Sequence, residues 1–272
     1  MNSSASWKPS PLMWGTFILH AVLPLYWLLV PQSWPWVVAA LFANHLLLTG
    51  VGLWPRSTWL GPNWTHLPPA AVARREIALT IDDGPDPEVT PRVLEVLDRY
   101  GVKATFFCIG QQAARYPELC KAIVQRGHMI ENHSQTHRHD FSLLGPKRLQ
   151  QELESAQQTL TRITGRRPLF FRAPAGLRNP FLDWALTKTG LKLAAWTRRG
   201  FDTRTSDADT VFKRLSRDIR PGAILLLHDR HCARTPDGTP VILAVMPRLL
   251  EAAAQADLRF VTLHELLQAE QQ

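Results

Sequence analysis

Two long stretches without a formal charge constrain this chain more than any other feature. Residues 11–30 read PLMWGTFILHAVLPLYWLLV and residues 34–54 read WPWVVAALFANHLLLTGVGLW, 20 and 21 residues respectively. At about 1.5 Å of rise per residue, each is long enough as a helix to cross a hydrocarbon core of about 30 Å. Only Pro31, Gln32 and Ser33 separate them, so the expectation is an N-terminal two-helix transmembrane hairpin. Trp at the edges of both runs supports it, because indole rings settle at headgroup level. Pro24, His20, Asn44 and His45 count against it unless the facing helix supplies partners, since mid-membrane polar groups cost energy. The competing reading is a signal peptide, but its apolar region is shorter, and no small-residue cleavage site follows the first run.

The charge distribution divides the chain. Of 272 residues, 31 are Lys or Arg and 23 Asp or Glu, a formal net charge of +8. Residues 1–70 hold eight of the ten Trp, no acidic residue, and only Lys8 and Arg56 as formal charges. This predicts an anchor and linker over 1–70, the linker lying along the interface, and a water-exposed domain over 71–272. Lys8 precedes the first span, Arg56, Arg74 and Arg75 follow the second, and the joining loop has no basic residue. The positive-inside rule then places the large domain on the cytoplasmic face of a bacterial-type inner (plasma) membrane. The remaining basic excess comes without zinc-finger spacing, recognition motif or long basic run, so nucleic acid is not expected as a partner. A surface facing anionic lipid or an anionic substrate accounts for it. No protein partner is identifiable. Cys108, Cys120 and Cys232 form no disulfide framework or paired metal spacing.

After Arg75, short apolar runs alternate with amphipathic segments, the signature of an α/β domain. Strands are expected at 77–81, 104–109, 128–131, 169–172, 191–196, 223–228 and 259–262. A helix is expected over Glu88–Tyr100, stopped by Gly101. The fold predicted is a distorted (β/α) barrel of about seven strands, whose chemistry belongs at the C-terminal strand ends.

Polar residues cluster at those ends. The first strand runs into Asp82-Asp83-Gly84-Pro85, two carboxylates that are costly to bury together without a cation. His133-Ser134-Gln135-Thr136-His137 places two imidazoles four residues apart, aimed one way by a helical turn or a tight loop, as metal ligands require. Arg172 ends a strand in FFRAPAG, and a buried Arg needs an anion. His228-Asp229 ends another strand. Each alone is compatible with a structural role, a solvated turn or a surface His pair; their order at successive strand ends is not easily accidental.

On these residues, 76–268 resemble the polysaccharide deacetylase family, the NodB-homology domain of metal-dependent carbohydrate esterases. TIDDGP, HSQTH, RAPAG, the stretch from Trp196 to Asp202, and LLLHD are similar to the family's five motifs in order. The resemblance implies that Asp83, His133 and His137 hold a divalent metal, most often Zn2+, with Co2+, Ni2+ or Mn2+ as alternatives. It implies Asp82 as general base, His228 as general acid, Arg172 as the partner of Asp82 and Asp202 as the partner of His228. Ala175 would offer a backbone N–H to the oxyanion, and Leu226 would line the acetyl pocket.

Two departures bear on substrate. The position after Pro174 is usually aromatic in the family and here is Ala175, and the fourth motif, usually acidic, reads WTRRGFDT with Arg198 and Arg199 beside Trp196. The resemblance thus implies removal of N-acetyl from an amino sugar in a polysaccharide or lipid-linked glycan beside membrane lipid, with a cleft more open and cationic than neutral chitin needs. The alternatives are a deformylase or O-acyl esterase on another acceptor, and a catalytically silent glycan-binding domain.

Overall fold

The computed structural model describes residues 6–269; residues 1–5 and 270–272, at the outer ends of the two expected domains, lie outside the described part. The first uncharged run forms helix α1, Pro11–Leu29, and the second forms α2, Trp34–Leu53, joined by a 3-10 turn over Pro31–Ser33. The Ser10 hydroxyl caps α1 by accepting from the Met13 amide. Proline in the first turn of each helix is tolerated because the N–H it lacks has no intrahelical partner there. The polar residues that counted against a hairpin face one another. Thr16 donates to the Asn44 side-chain oxygen at 3.2 Å, and the His20 and His45 rings meet edge to face with centroids 5.2 Å apart. Large apolar residues cover the outside, with Leu29 83% and Trp36 78% exposed, so both helices are long and apolar enough to cross a membrane.

The domain that follows is a curled parallel sheet. Its strands are β1 (Glu76–Asp82), β2 (Thr105–Cys108), β3 (Met129–Asn132), β4 (Phe170–Phe171), β5 (Lys192–Leu193), β6 (Arg198–Arg199), β7 (Ile224–His228) and β8 (Arg259–Phe260). Seven follow the order β5-β4-β3-β2-β1-β7-β6, and β8 pairs with the start of β1. All are parallel, with helices outside, which is the distorted (β/α) barrel expected. All seven residues of β1 are buried because both faces are covered. Its alternate residues separate cleanly. Ile77, Leu79 and Ile81 join the core under the outer helices, whereas Ala78 packs with Phe107, Phe170 and Ile224 inside the barrel. Two-residue periodicity therefore turns Thr80 and Asp82 inward with Ala78.

Three local findings refine the expectations. The helix at 88–100 runs Val89–Arg99, with Gly101 beyond it at φ +64°. β6 lies outside the strands expected, because two adjacent arginines carry no apolar alternation; the β7 edge makes them a strand through the registers Arg198↔Leu225 and Arg199↔Leu226. The stretch between α2 and β1 packs into the barrel. The Trp64 amide donates to the Leu193 carbonyl at 2.9 Å, its ring meets Phe170 edge to face, and Leu67 is 4% exposed.

Candidate active site

The strand ends bring the polar residues around one cleft. Asp82 ends β1 in direct register with His228 at the end of β7, and both turn toward the barrel interior. His133 follows β3, and Arg172 follows β4. Arg172 is 1% exposed, and each of its three guanidinium nitrogens has a partner. One terminal nitrogen donates to Asp82 Oδ1 at 2.6 Å and to Thr80 Oγ1 at 2.8 Å, the other donates to the Ala195 carbonyl, and Nε donates to the Ala194 carbonyl. Its guanidinium lies 4.1 Å from the Phe107 ring centroid. Burial lowers the Arg172 pKa, against which Asp82 acts in the raising direction. The pair is the arrangement in which a buried charge is tolerable, since each group neutralises the other.

Asp83, His133 and His137 form a second group. The Nε2 atoms of both histidines lie 3.2 Å from Asp83 Oδ1, and one ligand atom from each of the three residues falls within 4.8 Å of the others. Asp83 Oδ1 and His137 Nε2 are buried without a hydrogen-bond partner. Unpartnered buried donor atoms converging on one point fit a divalent cation, and a carboxylate with two imidazoles suits zinc-like ions while leaving positions open. The tautomer also fits: His133 Nδ1 is 2.8 Å from the Arg172 carbonyl, so it carries the proton and Nε2 keeps its lone pair. Burial and the neighbouring His133 push His137 down to about 4, leaving it neutral at physiological pH. Burial alone would raise Asp83, but the neighbouring His133 and His231 imidazoles hold it well below the ordinary carboxylate range.

His228 stands across the cleft. Its Nδ1 is 3.0 Å from Asp202 Oδ1, and its backbone N–H donates to Asp202 Oδ2 at 2.7 Å. Burial alone would lower its pKa, but the Asp202 carboxylate dominates and raises it to about 9. The residue is therefore a cation at neutral pH, with Nε2 left free.

The cleft has a volume of about 270 Å³; Ala175, Leu226, Trp196 and Arg199 line it with the polar residues above. Arg198 stands outside it and pairs with Asp218. A further space of about 60 Å³, bounded by Phe141 and Ser142, shares Ala175 with the cleft. Positive φ at Asp83, His137, Ala175 and His231 gathers backbone strain at this cleft.

Two contributors carried no readable signal in sequence. Glu152, on the helix Pro146–Thr164, accepts from the Gln135 and Thr136 amides and the Thr136 hydroxyl, fixing the His133–His137 segment as a tight loop. His231 lies 3.6 Å from Asp83 Oδ2. Neither stands at a strand end in a recognisable motif; only proximity in the fold finds them.

A partial (β/α) barrel with an Asp-His-His group and a separately paired His at its strand ends has the layout of a metal-dependent hydrolase. The sequence profile described as "Polysaccharide deacetylase" matches residues 70–194. A peptidoglycan-N-acetylglucosamine deacetylase of Bacillus cereus is 31% identical over 219 residues, spanning 78% of this chain and 77% of its own length. A chitooligosaccharide deacetylase of Bradyrhizobium sp. is 37% identical over 156 residues, 57% of this chain and 71% of that protein. The crystal structure of a peptidoglycan N-acetylglucosamine deacetylase superimposes with a TM-score of 0.67 at 29% identity, over 75% of this chain and 92% of that one. The chain belongs to the polysaccharide deacetylase family and is a hydrolase of non-peptide carbon–nitrogen bonds. Deacetylases of this family are metal-dependent.

Proposed function

We propose that residues 71–272 are the catalytic domain and remove the N-acetyl group from an amino sugar of a polysaccharide or lipid-linked glycan. Asp83, His133 and His137 would hold the metal, zinc by the chemistry of the donor set. When bound, the ion polarises the acetamide carbonyl and acidifies water. The rest of the chemistry falls to side chains. Asp82, oriented by Arg172, takes the proton of the attacking water as general base. His228, kept protonated by Asp202, gives its proton to the departing sugar nitrogen as the C–N bond breaks. The Ala175 N–H stabilises the oxyanion, and Leu226 and Trp196 receive the acetyl methyl.

The observation that carries this reading is the division of labour between adjacent carboxylates, one on Arg172 and the other on two imidazoles. Two carboxylates beside one cationic centre split naturally into a base and a ligand. A silent glycan-binding domain would not need a complete set of base, acid and their partners. The test is amine release from N-acetylated oligomers together with metal content. Wild-type release with loss in the Asp82→Asn protein supports the assignment; equal release by both removes Asp82 as the base.

We also infer that α1 and α2 form a membrane anchor in a bacterial inner membrane, with the catalytic domain on the cytoplasmic side. Lys8 and Arg56 on the flanks, against a turn with no basic residue, support that side. A domain there meets amino sugars on membrane carriers before it meets finished wall polymer. Activity of a periplasm-only reporter fused to the C-terminus would overturn the orientation.

A further inference from the structure

A second cavity, of about 390 Å³, adjoins the catalytic cleft, and Arg56, Arg198, Arg199, Arg214 and Arg217 line it without a single acidic residue. Its size falls within the range of about 300–1,000 Å³ usual for small-ligand sites. Arg198 is spent on Asp218. The other four have no carboxylate partner among the described residues. Arg56 donates to the Thr197 carbonyl at 3.1 Å, and Arg214 donates to the Gly200 carbonyl and Thr205 hydroxyl.

The guanidinium planes are held by aromatic rings. Arg199 lies 4.3 Å from the Phe201 centroid and 5.3 Å from that of Trp196, and Arg214 lies 5.5 Å from Phe201. A cation over a ring is held by the ring's quadrupole without using its N–H groups, which stay available to an acceptor. Arg199 Nε is buried and has no partner, a desolvated donor that an anionic oxygen would satisfy. No group in the cavity balances these charges, and a concave surface with low-dielectric walls concentrates their field.

Two placements say which anion belongs there. Trp196 and Arg199 line both this cavity and the catalytic cleft, so an anion here can be covalently part of a substrate whose acetamide is at Asp82. Trp54, Pro55 and Arg56, immediately beyond the end of α2, form the other wall, which is headgroup depth if α2 spans the bilayer. We infer that this cavity binds the phosphate or diphosphate joined to the amino sugar, making the enzyme selective for phosphate-bearing glycans, foremost those on a membrane lipid. The inference rests on the deacetylase reading for its substrate, but the cavity itself can be tested without turnover.

The experiment uses the full chain in detergent micelles and the Arg56→Gln/Arg217→Gln double variant, both positions being exposed. Calorimetry with inorganic diphosphate is expected to show binding weakened about tenfold or more in the variant, as expected for the loss of two charge-assisted contacts. Turnover is compared on three substrates: the hexadecyl phosphodiester of N-acetylglucosamine 1-phosphate, its methyl counterpart, and neutral chitotetraose. The ratio of kcat/KM for phosphodiester over chitotetraose is expected to fall about tenfold in the variant. A fall confined to the hexadecyl ester assigns the phosphate to a lipid, and a fall with both esters assigns it to phosphate-bearing glycans in general. Equal diphosphate affinity in the two proteins, or an unchanged ratio, overturns the inference. Absence of turnover on every substrate would instead sink the deacetylase reading and leave calorimetry to decide the cavity.

Discussion

Asp82 and Asp83 are adjacent in the chain, yet they face different partners. Asp82 still follows the pleat of β1 and points inward to Arg172, whereas Asp83 has left the strand at φ +77° and turns its carboxylate to His133 and His137. A strand alone would send the two side chains to opposite faces. The Asp82→Asn protein should retain its metal, because Asp82 is not one of the three convergent ligands, while kcat drops by about 10²–10⁴; metal analysis beside steady-state rates checks both halves. Across the cleft, the His228 imidazolium is fully formed at low pH and is lost as pH rises through about 9. Activity that needs it should therefore fall on the basic side, at a pH below that value once a divalent cation offsets the Asp83 charge that helps to raise it. Replacing Asp202 by Asn removes the largest raising influence, so this basic limb should move toward lower pH by roughly 1–2 units; a pH profile of kcat/KM for both proteins tests the sign.

At the scale of elements, the proposed metal ligands are positioned by pieces that contribute none of them. The loop after β3 keeps its shape through Glu152 on the helix Pro146–Thr164, which accepts from two successive loop amides, and through Ser134, whose hydroxyl accepts from the His137 amide at 3.0 Å. Glu152→Gln keeps the size but loses the charge that strengthens these bonds. Metal affinity should fall about 10–100-fold, measured by competition with a chelator, while the melting temperature changes little by comparison. The loop carrying Ala175 is tied to the segment that follows α2. Gly176 sits at φ +75°, and a Cβ there would come within 2.7 Å of Pro55 and 2.6 Å of the Trp196 ring. Gly176→Ala should cost about 1–3 kcal/mol in unfolding free energy. It should also lower activity, because the two residues displaced line the cleft or its arginine-rich neighbour; thermal melts paired with rates check this.

For the whole molecule, helices α1 and α2 are docked on the barrel as well as joined to it. The Arg178 amide donates to the Gly52 carbonyl at 3.1 Å, the Trp7 indole N–H donates to Asp183 at 2.8 Å, and an apolar space of about 490 Å³ lies between α1, α2 and two separate barrel segments, one holding Leu143 and the other Phe181. Membrane fractions should keep the protein through an alkaline carbonate wash, and deletion of residues 1–53 should release it. Release of the intact chain by that wash would remove the transmembrane assignment.

Much of this was written in the linear chain. Two uncharged runs fixed α1 and α2, apolar periodicity fixed seven of the eight strands, and the strand-end residues Asp82, Asp83, His133, His137, Arg172 and His228 could be picked out because hydrophobic runs that stop at a polar group mark a sheet's rim. Local pattern reports what a residue is and which way its own strand turns it. It does not report what comes close from a hundred residues away. The strand at Arg198–Arg199, the anchoring by Glu152, the approach of His231, the packing of Trp64 into the barrel and the cavity shared by Arg56, Arg199, Arg214 and Arg217 all arise from long-range closure of the sheet. Only the tertiary structure decided them, since the energies that place these groups belong to contacts between segments and leave no period or spacing in the sequence.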